Sequence, residues 1–404
     1  MSVFDRTADR SRESSHTHPR ISLIVGGPFS DLLGRLQLLS IDRLPGMGAA
    51  MLLAGVAWGI PAALVLLQEA FDPAYDAAGY FEDSRTWGRF LLAIALMMLA
   101  ERSTEEHFAR MIDRFHLLGL LPGAVADGFR ELLAVADRRT SSRLAEGLML
   151  LAAFTASAGT EQIRWIGSHD KWAGALEDGA VVHSWGGLAV TWISDPLFAF
   201  LFLRWMWRFV VLAWMMYGIS RLPLRLWPLH PDRVGGLAFL GQFPAAFSGL
   251  VFALGCVLAT GIHEHRTESF VDMDFMQLVT LGWVGFTLLI TLGPLTFFAA
   301  PLGAARDHAR EVYGVLVVRH LEAFDRAWIG TERHDQEMPP GDSSISSVSG
   351  LNDAIAPLLG MSVIPGGLAG VRWIGVASSV PMLVAMALQM SLDEAMKLVF
   401  GFLI

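Results

Sequence analysis

Long runs of apolar residues alternate with polar segments along this chain, and the runs exceed what a soluble core requires. Residues 47–68, MGAAMLLAGVAWGIPAALVLLQ, carry no charge. As a helix they reach across the roughly 30 Å hydrocarbon layer of a bilayer. They predict a first span, and Pro61 inside it is tolerated in a membrane helix. The run WGRFLLAIALMMLA at 87–100 predicts a second, shorter span, with Trp87 and Arg89 at the interface. Residues 144–160, LAEGLMLLAAFTASAGT, predict a third, with Glu146 near one end. Further spans are expected at 197–218, 236–260, 278–300 and 373–392. Asp195-Pro196 predicts a break and a new helix start, with Asp as cap and Pro in the first turn. That leaves 186–194 as a re-entrant or interfacial piece. Residues 354–371 are apolar but broken by Pro357, Pro365 and Gly366-Gly367, which suits a re-entrant or surface element.

The polar segments have their own periodicity. In 101–143, Phe108, Met111, Ile112, Phe115 and Leu118 recur at helical spacing, giving an apolar stripe on a polar helix. A second amphipathic piece is expected at 124–136. Residues 306–326 read as a polar helix with Val312, Leu316 and Leu321 as a partial apolar side, and 331–350 as a flexible loop. The segments 164–184 and 261–274 read as loops. Trp165 and Trp172 in the first suit an interfacial belt. The first residues are polar and lack the apolar core of a signal peptide.

The expected fold is therefore all-α: a polytopic transmembrane helical bundle of six or seven spans with amphipathic cytoplasmic helices. It divides into a cytoplasmic tail at 1–45 and a bundle at 46–300 with an amphipathic insertion at 101–143. A cytoplasmic helix and loop follow at 301–350, and a broken hydrophobic element with the final span at 351–404.

Composition sharpens this picture. The chain is 53% hydrophobic and only 17% charged, against about 25% charged in an average soluble protein. A net charge of -9 with no dense basic stripe excludes a nucleic-acid binder. Cys256 is the single cysteine, so neither an intramolecular disulfide nor a multi-cysteine metal site exists. It reads as a small buried hydrophobe. Arginine is unevenly spread. It is frequent before residue 47, in 101–143, in 221–233 and in 303–372, and scarce in 70–86, 161–184 and 261–274. The positive-inside rule then places the N-terminus in the cytoplasm of a bacterial inner membrane.

Two constellations are candidates for chemistry. Arg204 and Arg208 stand four apart in LFLRWMWRFVVLAWMMYG, on one face of a helix. Charged groups at membrane depth face a bundle interior, a cavity or a partner. With Asp195 they form a candidate anion path. Asp195 lies about 13 Å from Arg204 along a straight helix, too far for direct pairing, so a structural pairing with Glu146 or with headgroups competes. The connector His230-Pro231-Asp232-Arg233-Val234-Gly235-Gly236 packs His230, Asp232 and Arg233 beside two glycines, Gly235 and Gly236. It reads either as a site at the cytoplasmic mouth or as a pinned turn. His169, His183, His263 and His265 with nearby carboxylates match no metal spacing, and no metal or cofactor is expected. No phosphate-binding GxxxxGK[ST], HExxH, GxSxG or CxxC motif occurs.

These features predict an integral membrane channel or transporter, for a small anion. A membrane-embedded enzyme acting on a lipid-linked or phosphate-bearing substrate, and a membrane scaffold or signalling protein, are the alternatives. Expected partners are the lipid bilayer, a small anion and further copies of the chain as a homo-oligomer.

Overall fold

A computed structural model describes residues 26–36, 38, 46–73, 75–167, 172–177, 180–268, 273–328, 344–366 and 368–389. Most of them are helical. The principal helices are α1 (Pro28–Arg35), α2 (Met47–Phe71), α3 (Ile94–Leu117), α4 (Gly123–Thr140), α5 (Arg143–Gly167), α6 (Trp185–Ser220), α7 (Ser248–Glu268), α8 (Met273–Leu292), α9 (Ala299–Trp328), α10 (Ser344–Leu359) and α11 (Leu368–Gln389). The all-α bundle expected from the sequence is the fold of the described chain. Five segments are long and apolar enough to cross a membrane: Met47–Phe71, Trp185–Ser220, Ala238–His263, Phe275–Glu322 and Gly370–Leu388. The other two expected spans, 87–100 and 144–160, are helical but more polar. Arg89 and Glu101 bracket the apolar part of the first, and small residues dilute the second.

Several expectations are corrected. The helix does not break at Asp195-Pro196. A π-helical turn, Val190–Ser194, runs directly into the following helix, and Asp195 has helical backbone rather than a cap conformation. A proline clashes with the carbonyl one α-turn earlier and lacks an N–H to donate to it. The wider π turn immediately upstream accommodates that lesion. The piece 186–194 is thus part of α6, and its first turn packs against α2.

The 164–184 loop holds a small antiparallel hairpin, Gly174–Glu177 against Ala180–His183. Trp172 is buried edge-on against Tyr80 rather than exposed in a belt. The Tyr80 hydroxyl donates to the Trp58 carbonyl at 2.8 Å. Burial, and then Asp83, push its phenol far above the ordinary range. Helix α7 runs on to Glu268, so the connection once expected from residue 261 is shorter. Residues 331–343 and the C-terminal 392–404 lie outside the described residues, while 344–350 are helical rather than loop. The broken element at 354–371 does break: α10 ends at Leu359 and α11 begins at Leu368. Helix α10 packs on α9, and α11 on α7 and α8.

The amphipathic insertion supplies the inner layer. The buried positions of α3 include Met97, Glu101, Thr104, Phe108, Met111 and Phe115, whose alternating four-and-three spacing makes one stripe, and near its start Ile94, Met98 and Ala100 are buried as well. Of the residues expected on the stripe, Ile112 is only partly covered, and Leu118, just past the end of α3, is exposed. On α4, Val125, Phe129, Leu133 and Ala136 are buried, and this face lies against α6. Phe108 meets the rings of Phe243 and Phe247 edge-on at 5.6 and 6.1 Å. Beside them the Thr104 hydroxyl donates to the Ala246 carbonyl at 2.6 Å, with both groups buried. Replacing that hydroxyl by a methyl orphans the carbonyl, so Thr104→Val is expected to cost about 1–2 kcal/mol. A fall in the midpoint of detergent-titrated unfolding would register it; an unchanged midpoint would show that the carbonyl finds another donor.

Candidate functional site

Helical spacing brings Arg204 and Arg208 to one face of α6, and that face meets the α3 stripe at Glu101. Both arginines donate through Nη1 to the same oxygen, Glu101 Oε1, each at 2.7 Å. Arg204 Nε also lies 3.4 Å from Glu146 Oε1, at the start of α5. The relative exposures are 1% for Glu101, 5% for Glu146, 3% for Arg204 and 1% for Arg208. Two cations and two carboxylates, together formally neutral, therefore meet in the bundle interior. Glu101 Oε2 and Glu146 Oε1 are nevertheless buried without a hydrogen bond among the described residues. Buried carboxylate oxygens in such a setting are costly.

A further part of the site comes from the tail. Helix α1 begins with Gly27 as N-cap and Pro28 in its first turn, an arrangement favourable for a helix start. The Phe29 amide donates to Glu146 Oε2 at 2.9 Å, so a carboxylate sits at the positive end of a helix dipole. Arg204 Nη2 donates to Ser30 Oγ at 2.8 Å and faces the Gly26 carbonyl at 3.4 Å. Its guanidinium stands 4.8 Å from the Phe29 ring centre, close enough for a cation–π contact.

Asp195 does not join this cluster. Its Oδ1 lies 3.4 Å from Nη1 of Arg89, a partly exposed residue before α3. The structure thus brings together Arg204 and Arg208 on one face, pairs Arg204 with Glu146 as the structural alternative expected, and places Asp195 elsewhere. Glu101 and residues 26–30 were missed. The signal for Glu101 lay in the stripe: counting back from Phe108 by three or four reaches Thr104, Glu101 and Met97. A charged residue on an otherwise apolar helix face calls for a buried partner.

The His230–Gly236 connector forms a pinned turn. Asp232 Oδ1 accepts from the amides of Val234 and Gly236 at 3.0 and 3.1 Å, and its Oδ2 accepts from that of Ala238 at 3.1 Å. His230 Nδ1 stands 3.0 Å from the same carboxylate. Arg233, Gly235 and Gly236 all have positive φ, at 58, 66 and 92°. The two glycines therefore supply backbone conformations that L side chains rarely adopt. The Arg233 side chain runs along Gly360, and its carbonyl accepts from the Ser362 amide at 2.8 Å. His230, Asp232 and Arg233 thus tie the entry of the 238–263 span to the α10–α11 connection. Among the described residues no group of three or more His, Cys, Asp or Glu is placed to hold a metal.

No family model, curated protein or solved structure matches the chain.

Proposed function

We propose that this multi-pass membrane protein is a channel or transporter for a small anion, with Arg204 and Arg208 as the charge centre of its path. The observation that supports it is the buried cluster of two arginines and two carboxylates, in which Glu101 Oε2 has no hydrogen bond among the described residues. Buried ion pairs contribute little net stability compared with apolar packing of the same volume. A cluster this deep in a membrane helix therefore points to a role in moving or sensing charge. The basic segments support an inner-membrane location with a cytoplasmic N-terminus. The exposed Leu278, Leu281, Phe286 and Leu289 of α8 face lipid or a further copy of the chain.

A second reading, a scaffold or signalling protein, is favoured by one feature: each arginine already has a carboxylate. The enzyme reading loses its main support, because the Asp232 carboxylate is occupied by three amides and Arg233 turns toward Gly360. The discriminating experiment is nitrate and chloride flux into proteoliposomes under an imposed membrane potential. Wild type is expected to conduct, and folded Arg204→Ala or Arg208→Ala variants to lose flux or change selectivity. Flux indistinguishable from protein-free vesicles in every preparation would leave the scaffold reading standing.

A further inference from the structure

The contacts of Arg204 fall into two kinds. Its Nη1 and Nε edges meet the carboxylates of Glu101 and Glu146, whereas Nη2 meets only neutral oxygens among the described residues, Ser30 Oγ and the Gly26 carbonyl. Both neutral oxygens come from the tail. An anion approaching the guanidinium would take that edge, because charge-assisted bonds to a guanidinium are stronger than those from neutral acceptors.

The segment is shaped to this place. Gly27 has φ +87°, and a Cβ there would lie 2.5 Å from Glu146 Oε1, so no larger residue fits without parting the tail from the cluster. A Cβ on Gly26 would run into the Ser141 side chain, 3.0 Å from its Cβ. Phe29 covers the arginine and packs edge-on against Phe200 at 5.3 Å. Among the described residues, Ser30 and Leu33 are the buried positions of α1, while Leu32 and, just past its end, Leu36 are exposed. Displacing α1 leaves Arg204 still paired with both glutamates.

We propose that residues 26–30 are a built-in plug, whose neutral oxygens occupy the Arg204 edge that an incoming anion would take and whose displacement opens the path. This rests on the anion-path reading above. The plug competes with the anion, so apparent affinity scales with the fraction of molecules in which the plug is out.

The test is a reversible cross-link in the full-length protein. With Cys256→Ser removing the native thiol, Gly26→Cys and Ser141→Cys place two sulfurs where a small adjustment meets disulfide geometry, which needs about 3.5–4.5 Å between Cβ atoms. Oxidation in proteoliposomes is expected to join them efficiently and lower nitrate flux by roughly tenfold or more, with recovery on reduction. Gly27→Val and Ser30→Ala are expected to raise flux severalfold, with Ser30→Ala keeping the fold intact. Failure of the folded double-cysteine protein to cross-link overturns the plug itself. Efficient cross-linking with equal flux before and after reduction overturns its gating role while leaving the anion path standing. Cross-linking with no flux in any variant, including Gly27→Val, sinks the transport reading and with it the gate.

Discussion

Glu101→Ala is expected to be among the most damaging single substitutions in this protein, costing about 3–5 kcal/mol, the range for removing one partner of a buried ion pair. The reason lies in the shared oxygen. Arg204 and Arg208 both donate to Glu101 Oε1, so the substitution leaves two guanidiniums one helical turn apart in the bundle interior. Glu146 compensates only Arg204 in part, from 3.4 Å. Glu101→Gln keeps the shape and one acceptor but not the charge, and should lie between wild type and the alanine variant. Denaturant-titrated unfolding in detergent micelles, followed by Trp fluorescence, ranks the three. An alanine variant as stable as wild type would show that the cluster is open to water and that the arginines are not buried as described.

Asp232→Ala is expected to be the next most severe, at about 2–4 kcal/mol. Hydrogen bonds to a charged group contribute about 1.5–3 kcal/mol each, and three from one carboxylate do not add in full. Its loss frees the amides of Val234, Gly236 and Ala238 in a turn already held at three positive φ values. The entry of the 238–263 span then loses its anchor. Asp232→Asn retains one acceptor oxygen and should recover part of the loss. Hydrogen exchange of the 233–238 amides measures this locally, and fast exchange is expected in the alanine variant. Protection equal to wild type would mean that the backbone alone sets the turn.

The parts of the fold that were legible in the sequence are those governed by local periodicity. The 47–68 run needs no partner to be recognised, since its length alone meets the bilayer. The Phe108–Met111–Phe115 stripe is read from spacing, and so is the juxtaposition of Arg204 with Arg208. What escaped was set by tertiary structure or by unusual local geometry. Asp195-Pro196 has the residue types of a helix start, yet a π turn upstream absorbs the proline and the helix continues. Asp195 shares a segment with the arginines, yet the structure puts its carboxylate against Arg89 instead. Glu101 sits at the border of an apolar run, where a carboxylate ordinarily marks the membrane surface; only its place on the buried stripe distinguishes it. Residues 26–30 lie in a polar tail, and their fit to Glu146 and Arg204 spans more than a hundred residues of sequence, beyond the reach of any local pattern.

The most direct test of the charge cluster's role is flux through a protein in which all four charges have been replaced by uncharged groups of similar volume: Glu101→Leu, Glu146→Gln, Arg204→Met and Arg208→Met together, so that no carboxylate is left buried without its cation. Because an intact buried pair adds little over good uncharged packing, this variant is expected to fold with near wild-type stability. Anion flux in proteoliposomes is the measurement. The folded quadruple variant is expected to carry no nitrate or chloride while wild type does. Wild-type flux and selectivity in the quadruple variant would contradict the anion path through the cluster and place the path elsewhere in the bundle.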